Sequence, residues 1–116
     1  MVELYSYSKC SNCQKARKIL KENDVAFREI DIITQPPSKA LLKKIVHSGQ
    51  YSIQDLFNRS GEVYRQFNMK EKINNLTNDT LFELLSQYGK LIKRPIIICG
   101  QKFVVGFDFD RINEIK

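Results

Sequence analysis

The chain begins with an alternation of apolar and polar residues, and the apolar spacing then changes to that of a helix. Residues 2–7 alternate and include β-branched and aromatic side chains, which predicts a strand. The next apolar positions share one stripe of a helix, and they are Cys13, Ala16, Ile19 and Leu20. Residues 25–33 are again rich in apolar side chains and predict a second strand. Strand, helix and strand at this length predict a βαβ unit with parallel strands and a right-handed crossover.

The middle of the chain, residues 35–91, has the apolar period of helices. It opens with a proline-containing break, after which Ser38 is a candidate N-cap for a first helix. A longer helix is expected to start at Thr77 or Asn78, and two short helical segments are expected between these helices. These elements predict a helical insert.

Residues 96–105 return to the pattern of strands. Two apolar runs flank Gly100 and Gln101, and a glycine at the first of these two positions suits a type II′ hairpin turn. Asp108 can then cap a last helix. We therefore expect an α/β fold with a thioredoxin-like four-stranded mixed sheet, made from βαβ and ββα halves with the helical insert between them.

The length of the chain, 116 residues, is that of one domain. Residues 1–34 and 92–116 are expected to form the thioredoxin-like core, and residues 35–91 the insert.

Charge and hydropathy exclude some classes of partner. Lys and Arg number 19 against 13 Asp and Glu, but most of the lysines fall on predicted solvated helix faces. There is no dense basic run with interleaved aromatic residues, so direct nucleic-acid binding is not expected. Neither a signal peptide nor a run long enough to cross a bilayer is recognisable, so we expect a cytoplasmic protein without membrane association.

Cys10-Ser11-Asn12-Cys13 lies between the first predicted strand and helix. Two thiols with this spacing at a helix N-terminus can form a reversible disulfide, and the helix dipole favours the thiolate of the first. Beside a βαβ unit this pattern indicates a thioredoxin-like redox site. The alternatives are two inert buried cysteines, or a zinc site for which the rest of the chain offers only Cys99 and His47 as further thiol or imidazole ligands. No metal is expected.

Four segments together resemble the ArsC/Spx family, which includes glutaredoxin-linked arsenate reductases and the Spx regulators of bacterial RNA polymerase. The segments are residues 10–17, 35–38, 57–65 and 91–96. The resemblance extends over nearly the whole chain, and its Arg-Pro-Ile tripeptide is more specific than the Cys-x-x-Cys spacing.

The resemblance implies roles for individual residues. Pro95 would follow a cis peptide bond and turn the chain so that Arg94 faces Cys10. Cys10 would be the nucleophile and Cys13 the resolving thiol, while a guanidinium at Arg94 can stabilise a thiolate or hold an oxyanion. A plain surface ion pair is the alternative role for Arg94. The candidate substrate-binding residues are Ser11, Asn12 and Arg59.

The first function implied by the resemblance is that of an arsenate reductase-like thiol–disulfide oxidoreductase. Arsenate reductases of the family bind the oxyanion with three arginines. Here Asn58 and Gly106 align with two of these arginines, and Arg59 directly follows Asn58. Two lost charge-assisted contacts of about 1.5–3 kcal/mol each make efficient arsenate reduction unexpected. The electron donor would be glutathione with glutaredoxin, or thioredoxin, with no bound cofactor.

The alternative function is that of an Spx-like redox-sensing transcriptional regulator, which would bind the C-terminal domain of the RNA polymerase α-subunit. Spx proteins share the Cys-x-x-Cys pair and the basic surface. The glycine with which they dock on polymerase aligns with Ser52 here, unless Gly49 serves after a shift.

Overall fold

A mixed β-sheet is the central feature of the computed structural model, which describes residues 1–115. The four strands are β1 (Val2–Ser6), β2 (Phe27–Asp31), β3 (Ile96–Cys99) and β4 (Lys102–Val105). Their order across this sheet is β2-β1-β3-β4. β1 is parallel to β2 and antiparallel to β3, and β3 is antiparallel to β4. The predicted thioredoxin-like sheet, with βαβ and ββα halves, is confirmed.

The helices differ in length. The three longer ones are α1 (Ser11–Glu22), α2 (Lys39–His47) and α5 (Asn78–Gln87). The three shorter ones are α3 (Glu62–Gln66), α4 (Met69–Lys72) and α6 (Phe109–Asn113), and two 3₁₀ turns span Gln54–Leu56 and Gly89–Leu91. Within residues 1–115, no helix has the length and apolar character that crossing a membrane requires.

Three of these helices begin at the caps that the sequence predicts. The Ser38 hydroxyl accepts a hydrogen bond from the Leu41 N–H at 3.1 Å. Thr77, rather than Asn78, caps α5, and the Asp108 carboxylate caps α6. Each of these side chains satisfies a backbone donor that the first helical turn leaves free.

One predicted strand is too long, and one helix was not predicted. The second strand was expected over residues 25–33, but the Val25 N–H closes the end of α1 by donating to the Leu20 carbonyl at 3.0 Å, so β2 starts only at Phe27. Helix α4 was not predicted, because Asn68 adopts a left-handed φ of 54° that separates it from α3. At the hairpin, the φ of 61° at Gly100 fits the predicted type II′ turn.

The chain divides into two compact units. The first comprises Met1–Ile32 and the segment that begins at Arg94, and the second is Ile33–Lys93. In the first unit, apolar side chains of β1, β3, β4 and α6 pack with the buried stripe of α1. All four positions of the predicted stripe are buried, namely Cys13, Ala16, Ile19 and Leu20.

The second unit contains helices α2 to α5 and both 3₁₀ turns. Lys39 of α2 pairs with Asp79 of α5 at 2.8 Å and with Glu83 at 3.4 Å. The end of the first 3₁₀ turn and the loop that follows it are joined to the end of the unit by two backbone hydrogen bonds of 2.8 Å. The Asn58 N–H donates to the Leu91 carbonyl, and the Lys93 N–H donates to the Leu56 carbonyl. The segment around residue 58 is thereby fixed within the unit.

Candidate functional site

Cys10 is the N-cap residue of α1. Its backbone is extended (φ −99°, ψ 113°), and its Sγ atom accepts a hydrogen bond from the Cys13 N–H at 3.3 Å. The side chain is partly exposed, and the thiol is free. Cys10 therefore places its sulfur atom at the positive end of a helix, beside the free backbone N–H groups of the first helical turn.

Cys13 lies one turn further along α1 and is fully buried, with a free thiol. Burial raises the pKa of Cys13 to about 12, and the hydrogen bond with Cys10 contributes in the same direction. A backbone hydrogen bond with Tyr7 and the positive charge of Arg94 lower that pKa by less. The Cys13 thiol is therefore protonated at neutral pH.

Arg94 lies within electrostatic reach of Cys13, and the peptide bond between Arg94 and Pro95 is cis, as the resemblance implied. The central carbon of the guanidinium is 5.1 Å from the centroid of the Tyr7 ring, a cation–π contact. Its Nη1 atom is buried and has no hydrogen-bond partner. Within the described residues Arg94 forms no ion pair, so the alternative of a surface ion pair does not describe it. A buried donor without an acceptor is a group that an anionic ligand can satisfy.

The remaining predicted site residues are exposed. Ser11 and Asn12 form the first turn of α1, beside Cys10. Arg59 belongs to the second unit, where it lines a cavity of about 290 Å³ with Lys93 and five other residues. The structure thus brings Cys10, Cys13, Arg94 and their immediate neighbours together in the first unit.

Two residues near the cysteines were missed by the sequence analysis. Tyr7 contacts Arg94, which lies far from it in the sequence. Arg17 forms an ion pair with Glu29 of β2, and the hydrogen bond with Glu29 raises the pKa of Arg17. The four-residue spacing from Cys13 to Arg17 on a predicted helix was a signal that could have identified the second of these.

Comparison with known protein families matches residues 5–115 to the ArsC family. The chain belongs to the ArsC family. It is 43% identical over 110 residues to YusI of Bacillus subtilis (strain 168), an uncharacterized protein, with 95% of this chain and 93% of that protein covered. It is 31% identical over 113 residues to the global transcriptional regulator Spx of Streptococcus agalactiae, covering 97% of this chain and 81% of that protein.

Among solved structures, a possible arsenate reductase from Streptococcus mutans UA159 superposes with a TM-score of 0.86 at 33% identity. The match covers 92% of this chain and 91% of that one. The proteins to which this chain is similar therefore include one named as a transcriptional regulator and one described as a possible arsenate reductase.

No cluster of three or more histidine, cysteine or acidic side chains that could hold a metal ion occurs in residues 1–115. ArsC family proteins use thiol compounds as electron donors. The groups that this member of the ArsC family offers for chemistry are accordingly two thiols of different exposure and a guanidinium with an unsatisfied donor.

Proposed function

We propose that this protein is an arsenate reductase-like thiol–disulfide oxidoreductase in which Cys10 and Cys13 form the redox pair. The observation that carries the proposal is the contrast between the two thiols. Cys10 is partly exposed at a helix N-terminus, whereas Cys13 is fully buried and has its pKa raised to about 12. Thiolates, not thiols, are nucleophiles, so Cys10 attacks first and Cys13 resolves.

The reaction balances with two electrons. The Cys10 thiolate attacks one sulfur of a substrate disulfide, the substrate S–S bond breaks, and one substrate thiolate leaves. Cys13 then gives up its proton and attacks the Cys10 sulfur, which forms the Cys10–Cys13 disulfide and releases the second substrate thiolate. Glutathione with glutaredoxin, or thioredoxin, returns two electrons and two protons to the pair. These donors are cytoplasmic, which is the location we propose.

Arg94 and Pro95 complete the proposed catalytic residues. The unsatisfied Nη1 of Arg94 would donate to the negative charge that develops on the substrate during attack. Pro95 would fix the position of the chain that carries Arg94. Ser11 and Asn12, exposed beside Cys10, and Arg59, which forms no ion pair in the described part of the chain, are the proposed substrate-binding residues.

Arsenate itself is not the substrate we favour. In the resemblance, Asn58 and Gly106 occupy the positions of two arginines that bind the oxyanion. The neutral amide of Asn58 and the missing side chain of Gly106 cannot replace the two charged guanidinium groups. We also propose that the two compact units act as one ArsC/Spx-like domain, since the family match extends through both of them.

The test compares turnover of arsenate with turnover of a small organic disulfide, 2-hydroxyethyl disulfide. Each substrate is supplied with glutathione, glutaredoxin and glutathione reductase, or with thioredoxin and its reductase. NADPH consumption is followed, and the rate measured without the protein is subtracted. We expect disulfide turnover that falls at least about 100-fold in Cys10→Ser. Cys99→Ser, a matched thiol removal at the end of β3, keeps the wild-type rate. Equal rates for wild type and Cys10→Ser would refute the proposal.

A second function is favoured by the 31% identity to Spx of Streptococcus agalactiae. An Spx-like regulator would bind the C-terminal domain of the RNA polymerase α-subunit, and the state of the Cys10–Cys13 pair would change the affinity. Binding isotherms with reduced and oxidised protein measure this. Submicromolar binding that depends on oxidation, with no turnover above the Cys10→Ser level, would establish this function in place of the first.

A further inference from the structure

Tyr7 and Arg94 meet just beyond the point where the ladder between β1 and β3 ends. The two strands are antiparallel, and Tyr5 of β1 is the register partner of Ile96 of β3. Two positions further along each chain segment, Tyr7 falls opposite Arg94. There the central carbon of the guanidinium lies over the Tyr7 ring, 5.1 Å from its centroid. The register of the sheet therefore accounts for the contact.

The backbone beside Arg94 is fixed, but its side chain is long. The Gly106 N–H donates to the Pro95 carbonyl at 2.8 Å, which ties the segment to the end of β4. An arginine side chain has several rotatable bonds, so a fixed backbone still leaves the guanidinium free to turn. In the described part of the chain the guanidinium forms no hydrogen bond and no ion pair. The Tyr7 ring thus supplies the electrostatic contact that favours one orientation.

The backbone of the same tyrosine holds Cys10. The Tyr7 carbonyl accepts a hydrogen bond from the Cys10 N–H at 3.1 Å, which closes the turn between β1 and α1. Cys10 in turn caps α1 by accepting the Cys13 N–H at its Sγ atom. Tyr7 therefore contacts the turn that carries the proposed nucleophile with its main chain, and the guanidinium of Arg94 with its ring.

The contact with the ring leaves Arg94 able to bind a ligand. A cation–π contact is an attraction between a positive charge and the face of a ring, and it requires none of the five N–H donors of a guanidinium. Arg94 can therefore keep its contact with Tyr7 while Nη1, which is buried and has no partner, donates to a bound group.

We propose that Tyr7 is a positioning residue, whose ring holds the Arg94 guanidinium in the orientation from which Nη1 donates to the substrate. The inference rests on the proposed function, which assigns to Arg94 the contact with the charge that develops during attack. Tyr7 acts through Arg94, and the aromatic face is the part of its side chain that matters.

The test is a double-mutant cycle in kcat/KM for 2-hydroxyethyl disulfide, made of wild type, Tyr7→Leu, Arg94→Ala and the double variant. Arg94→Ala leaves no side-chain atom that can reach the ring. Tyr7→Leu should lower kcat/KM by about two- to five-fold in the wild-type background, the factor that corresponds to one cation–π contact. In the Arg94→Ala background it should cause no further loss, because there is no guanidinium to hold. Tyr7→Phe keeps the ring face and should retain the wild-type value.

Tyr88→Leu is the matched control, because it removes a tyrosine ring that contacts another aromatic ring, that of Phe67, in the second unit. Its kcat/KM should equal that of the wild type. If Tyr7 only supports the turn at Cys10, Tyr7→Leu lowers kcat/KM by the same factor in both backgrounds, and the inference is wrong. A loss in Tyr7→Phe as large as that in Tyr7→Leu would also overturn it, since the ring face would then not be the group that acts.

The same four proteins give a second cycle that needs no substrate. Urea unfolding measures whether the losses of the Tyr7 ring and of the Arg94 guanidinium are coupled. We expect a coupling factor of about two- to five-fold in the unfolding equilibrium constant, and additive effects would refute the inference. If Tyr7→Leu does not fold, Tyr7→Thr takes its place in both cycles, because threonine also lacks a ring and suits the end of a strand.

Failure of this inference is distinguishable from failure of the proposed function. Coupling in unfolding, without disulfide turnover above the Cys10→Ser level, would uphold the holding of Arg94 by Tyr7 and refute the enzyme. Turnover that depends on Cys10, without coupling in either cycle, would uphold the enzyme and refute the inference.

Discussion

Replacing Arg94 by methionine should lower activity without lowering stability. Arg94→Met removes the charge and all donors of the guanidinium while keeping an unbranched chain that fills the same space. In the folded protein, Nη1 of Arg94 is buried without an acceptor, and the guanidinium carbon lies 5.1 Å from the Tyr7 ring centroid. The first feature opposes folding and the second favours it.

The magnitudes decide the sign of each effect. A buried donor left without a partner costs about 1–3 kcal/mol, whereas a cation–π contact contributes about 0.5–1 kcal/mol. Arg94→Met should therefore leave the free energy of unfolding unchanged or raise it by up to about 2.5 kcal/mol. The loss of one charge-assisted contact in the transition state, about 1.5–3 kcal/mol, lowers kcat/KM by roughly 10- to 150-fold.

Two measurements on the same preparations test the prediction, namely kcat/KM for 2-hydroxyethyl disulfide and unfolding in urea. Arg94→Lys should recover part of the activity, because an ammonium retains the charge but lacks the planar fork. Arg28→Met serves as the control, since it removes an exposed arginine of β2 that pairs with Glu3. Its kcat/KM should stay at the wild-type value.

The reasoning would be refuted if Arg94→Met lost stability by more than 1 kcal/mol, a size typical of a destabilising point mutation. That outcome would mean that the guanidinium supports the fold and that its Nη1 atom is not an unsatisfied donor. If Arg94→Met had the kcat/KM of the wild type, the proposed contact between Arg94 and the reacting group would be refuted.

Three further predictions concern the cysteines and a helix cap. Because the pKa of Cys13 is raised to about 12, the native state keeps a proton that the unfolded chain releases, so the free energy of unfolding should fall between about pH 9 and pH 12. The slope is at most about 1.4 kcal/mol per pH unit, and urea unfolding of Cys13→Val should lack this component. Mild oxidation should form a disulfide between Cys10 and Cys13 within one monomer and leave Cys99 free. Mass spectrometry of the digested protein identifies the disulfide, and a bridge to Cys99 would contradict the prediction. Ser38→Ala should lower the free energy of unfolding by about 1 kcal/mol in urea, and an unchanged midpoint would argue against the cap of α2.

The elements that the sequence predicted correctly depend on residues close together in the chain. The cap at Ser38 is a contact over three positions, and the hairpin at Gly100 needs only a positive φ at one glycine. The buried stripe of α1 follows from helical spacing alone. The four-stranded mixed sheet was predicted because a βαβ unit and a hairpin leave few arrangements.

The features that sequence reasoning missed depend on residues that meet only after folding. Tyr7 and Arg94 are far apart in the chain, and no local pattern links an aromatic residue after one strand to a guanidinium before another. Glu29 shares its carboxylate between Arg17 and Ser6 because of the register of two strands, which periodicity does not fix. The roles assigned to the site residues stay predictions until the variants are measured.

The order of the strands has a consequence for synthesis on the ribosome. β1 lies between β2 and β3, yet β3 begins about 65 residues after β2 ends, a distance that a ribosome covers in about 3–13 s at 5–20 residues per second. During that interval the nascent β1–α1–β2 segment has one edge of β1 open, with unpaired N–H and C=O groups. The Ile33–Lys93 unit is continuous in sequence and can fold in the meantime. That edge of β1 is closed only after Ile96–Cys99 has left the exit tunnel and paired with it.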